Sequence, residues 1–179
     1  MQGRFFNSLQ PGEYGVAHKP AGFIMVTHEK LGRQRIFISS QDFREIIAGN
    51  YRIPPENIVS LINISETSLD GKKGLAIFQQ QLSKLHNVKG DVLIHCKHGH
   101  NRSPVATVIY LVSRGFTAKE AITAVTSAFK SQRSEKFKLN SRGHYTAVLQ
   151  EAFCLQENSS IHANTQEKCQ NHHYVLRPR

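Results

Sequence analysis

The stretch 91-DVLIHCKHGHNRSPVATVIYLV-112 decides how the chain is read. It opens on a short apolar run, Val92 to Ile94, of the kind that forms a buried parallel strand. It closes on Val105, Val108, Ile109 and Val112, which recur at helical spacing, with Arg114-Gly115 as the stop. Between strand and helix stand Cys96 and Arg102, separated by Lys97, His98, Gly99, His100 and Asn101. A strand that turns into a helix N-terminus presents several unpaired backbone N–H groups at one point. The helix dipole adds partial positive charge there, and together these suit a phosphate. Gly99 permits a backbone conformation that a side chain would hinder. Pro104 stands where the helix begins, where its missing N–H costs little.

Cys96 lies at the mouth of this cradle. Helix N-termini and neighbouring cations favour a thiolate over a thiol. Arg102 supplies a planar fork that matches two phosphate oxygens. A thiolate beneath a clamped phosphate is placed for in-line attack on phosphorus, giving a cysteinyl-phosphate that water then hydrolyses. Ser103 is positioned in the sequence to hydrogen-bond the sulfur and help it leave. Taken singly, Cys96 or His95 would read as an ordinary buried residue. It is the whole string, set between a strand and a helix, that points to chemistry.

Outward from the joint, strands are expected at Gly22–Thr27 and Arg35–Ser39. A helix follows with Phe43, Ile46 and Ile47 on one face and a stop at Gly49-Asn50. "PPENIVSLINIS" passes from a turn into a buried strand. Leu75, Phe78, Leu82 and Leu85 mark one helix face. Thr117 and Glu120 have capping-box spacing before a helix whose Ile122, Val125 and Phe129 face inward. A last helix is expected from near Ser141, with Tyr145, Val148, Leu149, Ala152 and Phe153 inward. Strands and helices in alternation, followed by helices, define an α/β domain with a central, mainly parallel sheet flanked by helices. Residues 1–155 form the domain, and the polar residues 156–179 read as a disordered tail.

A chain of 179 residues suits one domain with a real core. No stretch approaches the ~18 apolar residues of a membrane span, and the first residues lack the apolar region of a secretory signal. Three cysteines (Cys96, Cys154, Cys169) form no disulfide framework, so a reducing, intracellular setting, nuclear or cytoplasmic, is expected. Cys169, His172 and His173 fit no common zinc spacing, and neither a metal nor a cofactor is expected. The net charge is +10. Lys168, Arg177 and Arg179 against Glu157 and Glu167 leave the last 26 residues at +1 and the rest at +9. A basic domain implies an anionic partner.

The string HCKHGHNRS resembles the H-C-x5-R-[ST] signature of the cysteine-dependent phosphatases, the protein tyrosine and dual-specificity superfamily. The resemblance implies a dual-specificity-phosphatase-like fold, with Cys96 as nucleophile and Arg102 as phosphate clamp. His95 and Ser103 would tune the thiolate, and Lys97, His98, Gly99, His100 and Asn101 would line the loop. A narrower likeness, through His98 and Asn101, is to the RNA 5′-triphosphatase domain of mRNA capping enzymes and to related RNA 5′-polyphosphate phosphatases. It extends to "RFFNSLQPGE", "GFIMVTHEKL", "LINISET" and "RGHYTAVL", and so over most of residues 4 to 153. Lys97 and Ser103-Pro104 look more like protein- or lipid-directed members, and the interval between Thr67 and the next helix is shorter than in the RNA-directed ones. Dual-specificity enzymes also use an aspartate on a loop ahead of the catalytic strand to protonate the leaving oxygen. Asp70, 26 positions before Cys96, is similar in placement. It reads equally well as a helix cap, and Glu66 is a weaker candidate for the same role. The expectation is a phosphatase acting through a phosphocysteine intermediate, with an RNA 5′-tri- or diphosphate end favoured as substrate and phosphoprotein next. A phosphoinositide substrate, or a catalytically weak phospho-binding module, complete the alternatives.

Overall fold

The computed structural model describes residues 23–64, 71–132, 137–140, 143 and 145–161. The chain alternates as the pattern predicts: β1 (Phe23–Val26), β2 (Ile36–Ser40), α1 (Arg44–Tyr51), β3 (Ile58–Ser60), α2 (Gly71–Leu82), β4 (Val92–Cys96), then α3 (Arg102–Ser113), α4 (Ala118–Gln132) and α5 (Thr146–Ile161). The sheet order is β1-β2-β4-β3. β4 runs parallel to both β2 and β3, and β1 returns antiparallel along β2.

β2 and β4 are buried at every position, because helices cover both faces of the sheet. Alternation along a strand then divides the side chains. Ile36, Ile38, Val92, Ile94 and Cys96 enter the larger core, shared with α2, α3, α4 and α5. Phe37 and Leu93 enter a smaller one beneath α1, with Phe43, Ile47, Ile53 and Ile58. The face expected on the second helix is observed: Leu75, Phe78 and Leu82 are buried, and Leu85 follows just beyond it. α3 is buried from Arg102 to Leu111, so its polar N-terminus is enclosed along with its apolar body. Each fully buried Val or Ile there contributes roughly 1.5–3 kcal/mol relative to exposure.

The helix ends show where local signals decide and where packing does. α3 stops at Gly115 (φ 89). The Phe116 N–H bonds the Leu111 carbonyl at 3.1 Å and the Gly115 N–H bonds Val112 at 3.0 Å, a Schellman closure with Phe116 buried. α1 does not stop at Gly49-Asn50 as expected. It runs through both to Tyr51, and Arg52 takes the left-handed position (φ 52). The Ile53 N–H then bonds Ala48, and the Ile53 side chain enters the smaller core, so burial of Ile53 sets the stop. The capping box before α4 is formed: Glu120 accepts the Thr117 N–H at 2.8 Å, and the Thr117 hydroxyl accepts the Glu120 N–H at 3.2 Å.

α5 begins at Thr146 rather than near Ser141. Asn140 adopts a left-handed conformation (φ 55), and its side-chain oxygen accepts the Tyr145 N–H at 3.1 Å. The helix continues past Gln156, where the sequence places the start of the polar tail, to Ile161. The Gln156 amide donates to the Phe116 carbonyl, tying this last stretch to the α3–α4 corner. Residues 162–179 lie outside the described residues. Among the described residues, no helix is long and apolar enough to cross a membrane.

Candidate active site

Cys96 ends β4, Arg102 begins α3, and residues 97–101 form the loop between them. The Cys96 side chain is 2% exposed. Its Sγ accepts the Gly99 N–H at 3.2 Å and lies 3.3 Å from the Ser103 hydroxyl. The loop closes back on its own sulfur and rests on the end of β2. The Gln41 N–H donates to the Lys97 carbonyl at 3.4 Å, and Ser40 is the register partner of Cys96. Gly99 has φ 74, and a Cβ there would lie 2.9 Å from the Ser39 carbonyl carbon and 3.0 Å from the Ser40 nitrogen. Backbone strain and backbone crowding both require glycine. The Ser103 hydroxyl also reaches the Ser39 carbonyl at 3.5 Å. It has one proton, which serves either that carbonyl or the sulfur. Directed at sulfur, it stabilises a thiolate.

Arg102 is 8% exposed. Its Nη1 donates to three backbone carbonyls, those of Leu61 (3.0 Å), Ile62 (2.8 Å) and Ile64 (2.7 Å). These belong to the turn that follows β3. Lys97 and His98 are exposed on the rim of the loop, while His100 and Asn101 are half-buried. Asn101 stands at the N-cap of α3 without a side-chain capping bond.

His95 is placed differently from what its neighbour suggests. Strand alternation puts its imidazole on the α1 face of the sheet, opposite the Cys96 side chain. It is fully buried, and neither ring nitrogen has a hydrogen-bond partner among the described residues. Burial, reinforced by the charges of Arg44 and Lys84, lowers its pKa from 6.5 to about 4, so the ring is neutral at pH 7. Its carbonyl accepts the Leu61 N–H at 2.9 Å, which ties the catalytic strand to the start of the Arg102-binding turn.

The structure thus brings Cys96, Gly99 and Ser103 together, sets the Arg102 guanidinium on the carbonyls of Leu61, Ile62 and Ile64, and directs the His95 ring to the other face of the sheet. Asp70 and Glu66 lie outside the described residues, as do Cys169, His172 and His173. Among the described residues there is no group of three or more His, Cys, Asp or Glu able to hold a metal ion. Two parts of the site escape sequence reading: the Ser39–Ser40 backbone under the loop and the carbonyls of Leu61, Ile62 and Ile64. Backbone groups carry no side-chain signature. The sole sequence signal is Gly99, which signals a close approach without naming what approaches.

The family model for the dual specificity phosphatase catalytic domain matches residues 53–153, which hold β3, the loop and most of the helical half. No curated protein sequence matches the chain. Among solved structures, a cysteine-to-serine variant of P. aeruginosa TpbA in complex with pTyr is similar at 16% identity. That match covers 75% of this chain and 96% of the other, with a TM-score of 0.45.

Proposed function

Because the chain belongs to the dual-specificity phosphatase catalytic-domain family and is a cysteine-dependent phosphatase, we propose that Cys96 carries the reaction in two steps. In the first, Sγ attacks phosphorus, the bond to the leaving oxygen breaks, and a cysteinyl-phosphate forms. In the second, water attacks that phosphorus and Sγ departs as a thiolate. The observation that carries this reading is the environment of Sγ, which has the Gly99 N–H and the Ser103 hydroxyl within hydrogen-bond reach. Arg102 and the loop amides hold the phosphate, and Lys97, His98, His100 and Asn101 line its approach. Asp70 protonates the leaving oxygen when that oxygen is a poor leaving group. His95 serves the loop by filling the space under the sheet, as a neutral ring.

As substrate we favour an RNA 5′-tri- or diphosphate end. The string HCKHGHNRS and the +9 charge of the first 153 residues support it. A polyphosphate leaving group needs little help from an acid, so Asp70→Asn costs little on RNA triphosphate. On a serine or tyrosine phosphoester the same change costs about 10²–10⁴ in rate. A phosphoprotein substrate is the second reading, favoured by the family match and by Lys97 and Ser103-Pro104. Binding to Cys96→Ser protein as a function of salt separates the two. Several backbone contacts to single-stranded RNA give a log–log slope of roughly −2 or steeper, at about −0.7 per phosphate. A phosphotyrosine peptide held mainly at the loop gives a shallower slope. Equal, shallow slopes for both ligands put the phosphoprotein reading first. Lack of turnover on any aryl phosphate would make the chain a binding module.

A further inference from the structure

We propose that the turn Leu61–Ile64 is the positioning element of the arginine clamp. This rests on the reading of Arg102 as the phosphate clamp. Three carbonyls of one four-residue segment lie within 3.0 Å of a single guanidinium nitrogen. Nη1 has two hydrogens, so one of its bonds is shared, and that end of the fork is committed to the turn. The backbone of residues 61–64 therefore fixes one end of the guanidinium, and with it the orientation in which the fork meets a phosphate.

The segment is built to hold a position. The Ile64 N–H closes back on the Leu61 carbonyl at 3.5 Å, which makes 61–64 a β-turn with Ile62 and Asn63 at its centre. Neither central residue has positive φ, which excludes types II, I′ and II′. Both ends are anchored: Leu61 is fully buried and Ile64 is 8% exposed in the larger core. The Leu61 N–H is bonded to the His95 carbonyl, one residue from the nucleophile. Asn63, at the tip, is exposed. The turn thus connects the catalytic strand to the clamp through backbone alone.

A proline is disfavoured at the third position of such a turn, so Asn63→Pro disrupts the carbonyl array at an exposed site. A looser variant, Ile62→Gly with Asn63→Gly, keeps the chain length and weakens the turn without forcing a new shape. Both are compared with the unmodified protein, and again in an Arg102→Ala background, by inhibition with inorganic phosphate and by KM and kcat on an aryl phosphate. Alkylation of Cys96 by the neutral reagent iodoacetamide reports the nucleophile. In the unmodified background, each turn variant weakens phosphate inhibition by about tenfold or more, the worth of one misplaced charge-assisted hydrogen bond. Alkylation changes by less than about twofold, an effect well below one hydrogen bond. In the Arg102→Ala background the same turn changes have no further effect on phosphate, because the group they position is gone. Unchanged phosphate inhibition in the double-glycine variant overturns the proposal. So does an equal loss in both backgrounds, which marks a general structural defect. If Arg102→Ala itself leaves phosphate inhibition intact, the clamp reading fails, and this proposal fails with it for a separately visible reason.

Discussion

The two ends of α3 each carry a glycine with positive φ, and the surroundings separate an ordinary helix stop from a built site. At the C-terminal end, Gly115 (φ 89) has nothing within 4 Å of where a Cβ would stand. It is there for its conformation alone, completing a Schellman closure. At the N-terminal end, Gly99 (φ 74) sits against the Ser39–Ser40 backbone, and its N–H points at the Cys96 sulfur. A helix start is free to spread into solvent. This one is compressed against the end of β2, which sets the Cys96 sulfur beside the Ser103 hydroxyl, while the Arg102 guanidinium is held by the turn after β3. The crowding itself sets this helix start apart from an ordinary helix cap.

The comparison can be broken most sharply at the guanidinium. Arg102→Lys keeps the charge and loses the planar fork, and kcat on an aryl phosphate falls by about 10²–10³. Full activity in that variant would remove the clamp from the account. Gly99→Ala comes next. Its methyl forces the loop off the β2 backbone, and a displacement of about 1 Å at the reacting atoms costs on the order of 10²-fold in rate. Steady-state kinetics beside a thermal melt show whether the loss is in chemistry or in folding. Gly115→Ala is the matched control at the other end. It costs about 1–2 kcal/mol in stability through its backbone conformation and leaves kcat unchanged. If the two glycine variants behave alike, the two ends of α3 are not the different things described here.

The smallest effect concerns the α1 side of the sheet. His95 binds its proton near pH 4 when folded and near 6.5 when unfolded. Between those values the unfolded chain holds more protons, so the folded state loses stability as pH falls from about 6.5 toward 4. The contribution is fully present above that window. Melting curves of the unmodified protein and His95→Asn from pH 7 to 4.5 diverge in slope, with the histidine protein falling faster. Parallel curves would mean that the ring is protonated or solvated in the fold.

What could be read from the sequence follows from which groups have side chains. The strand–loop–helix joint was legible because Cys96, Gly99, Arg102 and Ser103 are distinct residue types at a distinct spacing. The Thr117–Glu120 cap was legible for the same reason. The stop of α1 was misplaced because Gly49 is a general helix-stop signal, whereas the left-handed residue is Arg52, held there by the burial of Ile53. The start of α5 was displaced because Asn140 caps it across five residues, a contact with no fixed motif. The carbonyls on Arg102 come from about forty positions upstream, and a peptide carbonyl is common to every residue. The direction of the His95 ring depends on strand register, which becomes visible only once β4 is set beside β2 and β3.

The central claim is that phosphate passes through the Cys96 sulfur. The direct measurement is to quench the enzyme during turnover of an aryl phosphate and determine the mass of the Cys96 peptide. The account predicts a phosphate adduct on that peptide, and its absence, with turnover abolished, in Cys96→Ser. Turnover in Cys96→Ser near that of the unmodified protein, with no adduct on any cysteine, would contradict it.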